Sequence, residues 1–559
     1  MDKTTTAKNN PMKNIIYIAV AGVLSLSACK QDFLERPPLD QVSDATFWQS
    51  ENDVYLAVNA IYSQLPGEGL IYQDGASDNA HAQYPWESTA NAVSSGVVST
   101  DLDAGWSFVT IRRQNYFMEN VDKAQMDESL KERYKAEVRF MRAFSYQQMV
   151  EDFGDVPLIL KTLHIDSTNV ARTSKAEVTD FILKELQEVA EILPATYTGG
   201  KGNEKGRITK GAALALKARI HLYEEEWANA ITESEKVMNM GYSLFKLNNE
   251  EEVDAQDDYS QWVDFDNEAD EQRFRLGLRS YEGLFRAKHE GNSEIILDRQ
   301  YIVQTDAQYL NTYFLPGTIG GWSSVTPTQA LVNAYGNYKT GEAATSIPSD
   351  AQRALWYDSK SPELKKEYQN RDPRFYASIL FEDAPWNAIE DDYTFSWSQG
   401  ASNMSQTGYN FRKMVDPAAQ RVTLDNHSNI IIFRYAEILL TYAEAKNELS
   451  GPDASIYDAL DQIRTRSGMP VINRAAYADQ ASLRELIRNE RRVELALEGQ
   501  RYMDIRRWEI APQVMKSINN IRNTLAQERL WSDKLYLMPV PQSQIDLSEG
   551  LLTQNKGYN

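Results

Sequence analysis

A single cysteine, Cys29, closes an apolar run from Ile15 to Ala28. With no second thiol, no internal disulfide can form, so a fold of this size must be held by core packing alone. The run is shorter than the roughly 20 apolar residues that a membrane-spanning helix needs. Lys13 precedes it, Met12 is the expected start, and Leu26-Ser27-Ala28-Cys29 ends it. Small residues before the cysteine fit a lipoprotein-type signal peptide over 1–28, cleaved ahead of Cys29, whose thiol then takes a lipid. Each buried methylene of an acyl chain contributes about 0.8 kcal/mol, so a few chains anchor a soluble body to a membrane. No second long apolar run occurs, and residues 29–44, with Pro37-Pro38, read as a polar tether.

The 559 residues carry 58 Lys plus Arg against 80 Asp plus Glu, a net charge of -22. That field repels phosphate backbones and anionic lipid, which argues against nucleic acid as a partner and leans toward a neutral ligand. Five scattered histidines leave little material for a metal site. No Gly-x-Ser-x-Gly, His-Glu-x-x-His or Cys-x-x-Cys motif is present, and neither a cofactor nor a catalytic residue is expected.

Helical signals fall in blocks. Leu130, Tyr134, Val138, Met141 and Phe144 recur at helical spacing. Ser174-x-x-Glu177 reads as a capping box for a helix over 178–192. Small Ala215 and Ala218, then Tyr223, Trp227 and Ala230, suggest a close antiparallel pair resembling a tetratricopeptide unit, and a similar pair recurs over 438–466. The expected fold class is mainly α: an irregular tetratricopeptide-like helical scaffold (45–65, 107–245, 430–510) with a large loop-rich ligand-binding lobe (66–106, 246–429), in one domain over 45–559. Most of the tryptophans lie in that lobe, which argues for a packed, aromatic-lined body and against disorder.

Several segments then carry a family resemblance. Ala136 to Ala143 with Asp152-Phe153-Gly154-Asp155-Val156-Pro157, Gly206 to Ala213, and Asn370-Arg371-Asp372-Pro373-Arg374-Phe375 all resemble motifs of the SusD/RagB family of surface lipoproteins. So do Phe433 to Leu440, Arg488 to Ala496 with Gly499-Gln500-Arg501-Tyr502, and the tail from Leu537 to Tyr558, where Lys556 departs from the usual Asn-Pro-Gly-Tyr. The resemblance implies a lipid-anchored, cell-surface protein of the outer membrane. Such a protein binds oligo- or polysaccharide and caps a SusC-like TonB-dependent transporter for nutrient uptake. A peptide-binding member of the family is the alternative, and a surface glycoside hydrolase a weaker one.

Sugar rings present an apolar face and a polar rim, so aromatic platforms flanked by amides and carboxylates are the expected contacts. The candidates are Tyr84 and Trp86 with Asp78 and Asn79, then Trp106, Trp322, Trp386, Tyr393 and Trp397. Glu490, Glu494 and Glu498, spaced i, i+4, i+8, fall along one face of a helix expected to be capped near Ser482-x-x-Glu485, and a glycosidase reading would make two of them acid and nucleophile. The arginines crowded around them favour ionised carboxylates, however, so a structural ion-pair network is expected. The glycine-rich 199–206 segment lacks phosphate-loop spacing and reads as a surface loop, and the alternating acids over 264–270 read as a solvated acidic loop and not a calcium loop.

Overall fold

The computed structural model describes residues 47–164, 166, 169–249, 257–420 and 426–558. The expected signal peptide, Cys29 and the tether lie outside them. Helix α1 (Glu51–Tyr62) opens on Ser50, whose hydroxyl accepts from the Asp53 amide while the Asp53 carboxylate accepts from the Ser50 amide at 2.8 Å. Four further helices follow before the antiparallel array closes: α2 (Val109–Asn120), α3 (Glu128–Phe153), α4 (Lys175–Ile192) and α5 (Lys210–Tyr223). With α6 (Trp227–Met238), each packs on the next. Gly211 to Leu222 of α5 are all buried. A helix covered on every side must be lined with small residues so its neighbours can approach, and Ala212, Ala213, Ala215 and Ala218 supply them.

The region after α6 holds α7 (Glu268–Gly283) and the short α8 (Pro373–Ser378), which pack on each other. The chain then returns to helices: α9 (Tyr435–Ser450), α10 (Ala454–Arg466), α11 (Gln480–Glu494) and α12 (Arg501–Arg507). Helix α9 lies against α6, α10 and α11, so the second helical pair extends the first into one tetratricopeptide-like array. The fold is mainly α. Its strands are short antiparallel pairs: β1 (Ala80–Ala82), β2 (Ile295–Arg299), β3 (Val325–Pro327), β4 (Ile379–Leu380), β5 (Asn410–Phe411), β6 (Ile430–Arg434), β7 (Ile518–Asn519) and β8 (Leu525–Gln527) pair as β1–β3, β2–β6, β4–β5 and β7–β8.

One apolar cluster joins α1 to α5 through residues such as Val54, Phe117, Phe140, Ile182 and Leu216. A second, aromatic cluster fills the region after α6, with Tyr259, Trp262, Phe274, Trp386, Trp397 and Phe411. Two boundaries differ from expectation. Helix α4 begins at Lys175, not 178. Helix α11 is capped by Asp479, whose carboxylate accepts from the amides of Ala481 and Ser482, both at 3.0 Å. The expected cap, Ser482, instead sits inside the first turn, because a charged oxygen serves the positive helix end better than a hydroxyl. The sixteen residues of α7 fall where sequence periodicity gives no helix.

Candidate functional site

The β1–β3 ladder sets His81 opposite Thr326 and Ala82 opposite Val325. Just beyond it, the Gln83 amide donates to the Ser324 carbonyl at 2.7 Å, holding the 83–86 segment alongside 322–324. Tyr84 and Trp86 project from this edge with ring centroids 5.0 Å apart and planes 29° from parallel. Trp86 is 78 % exposed. The Tyr84 hydroxyl donates to Asn403 Oδ1 at 3.1 Å. On the other segment Trp322 is 42 % exposed and leans on Tyr313, 6.0 Å away, which also contacts Tyr72 and the exposed Tyr309.

Asn403 ties the two aromatic groups together. Its side chain receives Tyr84, while its carbonyl accepts from the Ser323 hydroxyl at 2.7 Å and the Gly317 amide at 3.2 Å. Glu87 accepts from the Tyr72 hydroxyl at 2.7 Å and the Ser324 hydroxyl at 3.1 Å. The polar side chains bonded at this edge are thus amides, hydroxyls and the carboxylates of Glu87 and of Glu68, which accepts from the Tyr309 amide. Two groups of water-facing aromatic rings, rimmed by such atoms, form a surface suited to a ligand with apolar faces and hydroxyl edges.

The other sequence candidates sit elsewhere, and five are corrected to structural roles. Trp106 is buried edge-on between Phe108 and Phe153, with centroids 5.8 and 5.0 Å away. Trp386 is fully buried beneath the Arg412 guanidinium, 5.1 Å from its ring. Trp397 is buried and donates through Nε1 to the Ser405 carbonyl at 2.7 Å. Asp78 and Asn79 are buried under β1, where Asp78 meets Arg501 at 2.8 and 3.0 Å and Arg492 at 2.8 Å. Asn79 Oδ1 accepts from Arg492 at 2.7 Å. Burial pushes the Asp78 carboxyl up, but Arg492 and Arg501 outweigh it and hold it at about 2. Packing decides these cases: an indole gains most when it is taken out of water, and a buried carboxylate gripped by two guanidiniums is committed to them. Tyr393 is half-buried on a separate hairpin, so only Tyr84, Trp86 and Trp322 of the nine candidates gather at one edge.

Glu490 and Glu494 on α11, with Glu498 beyond its end, form the expected ion-pair network, though with unexpected partners, and because the helix stops at Glu494 the three do not share one helix face. Arg374 reaches Glu490 at 2.6 Å and Glu494 at 2.8 Å. Arg434 reaches Glu494 and Glu498, both at 2.7 Å, and Glu294 at 2.8 Å. Lys413 completes the set on Glu498 at 2.7 Å. Burial raises the Glu494 carboxyl, yet Arg466, Arg434 and Arg374 together hold it far below its ordinary value, the reverse of what a general acid needs. The local arginines serve other acids: Arg491 pairs with Asp504, while Arg492 and Arg501 pair with Asp78. Of the acids over 264–270, Asp264, Asp266 and Glu268 are exposed as expected, while Asp270 is gripped by Lys339 at 2.6 Å and by Arg273 at 2.7 Å.

Sequence reasoning missed Tyr309, Tyr313 and Asn403. The i, i+4 spacing of the two tyrosines before Gly320-Gly321-Trp322 is a usable signal; nothing local marks Asn403.

Comparison with known proteins adds an independent line. Residues 282–558 match the model described as SusD family, and residues 32–222 match one described as starch-binding associating with outer membrane. A SusD-like protein of Bacteroides fragilis superposes with a TM-score of 0.77 at 31 % identity, covering 94 % of this chain and all of its own. A second B. fragilis structure, a SusD-like carbohydrate binding protein, gives a TM-score of 0.74 at 25 % identity over 91 % of this chain and 99 % of its own. A SusD-like protein of Formosa agariphila is 26 % identical over 97 % of this chain and 99 % of its own.

Proposed function

The chain belongs to the SusD family, and from that membership we propose that it is a non-enzymatic, cell-surface carbohydrate-binding lipoprotein. The observation that carries the reading is the stacked Tyr84–Trp86 pair, with its indole largely in water, set beside Trp322 by the β1–β3 ladder. Exposing two large indoles on adjoining segments is unfavourable unless a partner covers them. A sugar ring suits them: its C–H face lies on the indole, while Asn403, Glu87 and the tyrosine hydroxyls meet its oxygens. The bonded polar groups at the edge include no lysine or arginine, which favours a neutral oligosaccharide over a sulfated or uronic one. Cys29 would carry the lipid that holds the body on the outer membrane. A SusC-like TonB-dependent transporter would receive the cargo, closure over it being driven by ligand contacts made only in the shut state.

The test is affinity electrophoresis of the lipid-free chain in gels cast with starch, laminarin, inulin or xylan. At least one polysaccharide should retard the protein, and Trp86→Ala with Trp322→Ala should sharply reduce the retardation. Unchanged mobility in every gel, together with binding to peptides by calorimetry, would turn the reading toward a peptide cargo.

A further inference from the structure

A second concavity, of about 380 Å³, shares no residue with the Trp86 edge. Asp258, Gln261 and Trp262 line one side, Lys365 another, and the hairpin from Asp383 to Thr394 the third. That hairpin is stiff. The Trp386 amide donates to the Tyr393 carbonyl at 3.0 Å, the Phe395 amide to the Ala384 carbonyl at 2.9 Å, and the Asp383 amide to the Phe395 carbonyl at 2.9 Å. Buried Trp386 anchors it to the aromatic core from below. The wall is therefore formed before any ligand arrives.

The lining mixes acceptors and donors. Asp258, Asp383 and Asp392 are exposed carboxylates. Among them the Lys365 ammonium lies 3.3 Å from Gln261 Oε1, 3.7 Å from Asp383 and 5.5 Å from the Trp262 ring. Asn387 and half-buried Tyr393 complete the cavity. An anion would face three carboxylates. A metal ion would face Lys365, and among the described residues no three acidic, histidine or cysteine side chains lie close enough to hold one. A hydroxyl both donates and accepts, so a polyhydroxyl ligand can use the carboxylates and the amine at once while a ring face rests on Tyr393.

We infer that this cavity is a second saccharide-binding site, taking one or two neutral sugar units of the same cargo. The inference rests on the carbohydrate-binding reading of the chain. Two modest sites on one body raise the retention of a polymer well above either alone, without any new contact.

Calorimetry with maltohexaose, laminarihexaose, xylohexaose and inulin-type fructohexaose tests it. With whichever probe the wild type binds, two sites are expected. Trp86→Ala with Trp322→Ala should leave one site, and adding Lys365→Ala and Tyr393→Ala should weaken that remaining site at least tenfold. Asp383→Asn with Asp392→Asn, which keeps a residue tolerant of the positive φ of 65° and 59° at those positions, should weaken it too without loss of fold. If the Trp86 and Trp322 variant binds nothing, the cavity is not a site, although the first reading stands. If the wild type binds none of the four probes, both readings fall.

Discussion

Arg501 and Asp78, 423 residues apart in the chain, meet through two parallel hydrogen bonds of 2.8 and 3.0 Å. The contact fixes the root of β1, and with it the Tyr84–Trp86 edge, to the start of α12 in the helical array. Gly499, with φ of +73°, makes the approach possible, because a Cβ there would lie 2.5 Å from the Leu70 carbonyl oxygen.

Breaking that pair from one side should be costly. Asp78→Ala leaves two guanidiniums buried without their carboxylate, and a loss of about 3–5 kcal/mol is expected in equilibrium urea unfolding. The molecules that remain folded should still bind the polysaccharide. Loss of binding at full stability would instead return Asp78 to the ligand site.

The exposed and the buried tryptophans should separate cleanly. Trp86→Ala is expected to change unfolding free energy by less than about 0.5 kcal/mol while weakening glycan binding tenfold or more, about 1.4 kcal/mol. Trp386→Ala empties a fully buried site and should cost about 3–5 kcal/mol. Thermal unfolding and affinity electrophoresis on the same preparations check both.

His81 gives the fold a dependence on acidity. Its ring nitrogens lie 3.3 Å from Gln527 Oε1 and 3.1 Å from Gln406 Oε1. Burial first, and nearby Arg529 second, push its pKa from 6.5 down to about 4. The unfolded chain thus binds the proton more readily, so the histidine's contribution is complete above pH 6.5 and is lost as pH falls toward 4. Relative to His81→Gln, the wild type should lose on the order of 3 kcal/mol across that window. Parallel unfolding curves for the two proteins would sink the assignment.

Glu494 should behave as a structural ion. Glu494→Gln removes the charge facing Arg374, Arg434 and Arg466, and about 3–5 kcal/mol of stability should go with it. Neither protein should release reducing ends from starch, laminarin, inulin or xylan. Turnover by the wild type that disappears in a well-folded Glu494→Gln chain would overturn the binding-only reading.

Cys29→Ser should move the chain from the membrane pellet to the soluble fraction, since removing the acyl chains removes the proposed anchor. Retention in the pellet after a high-salt wash would point to another attachment.

Much of the helical array was legible because its helices advertise themselves locally, through small residues along α5 and the cap at Ser174. Helix α7 was not. Its buried face carries Arg279 and Glu282, neutralised by Asp257 and Arg412 from distant segments, so the usual apolar period is missing. The same limit governs the site. Trp86 and Trp386 both stand in mixed aromatic and polar surroundings, and what separates them is Arg412 and the aromatic core, which no short window reveals. Asp78 read as a ligand contact because its partners lie more than four hundred residues downstream.

The bonds that hold 83–86 against 322–324, and that seat Trp322, Ser323 and Ser324 on Thr312, Leu315 and Tyr313, are main-chain to main-chain. This backbone part of the frame therefore does not depend on which rings it displays. A lineage could exchange the rings at positions 84, 86 and 322 and acquire a new diet while inheriting the same skeleton.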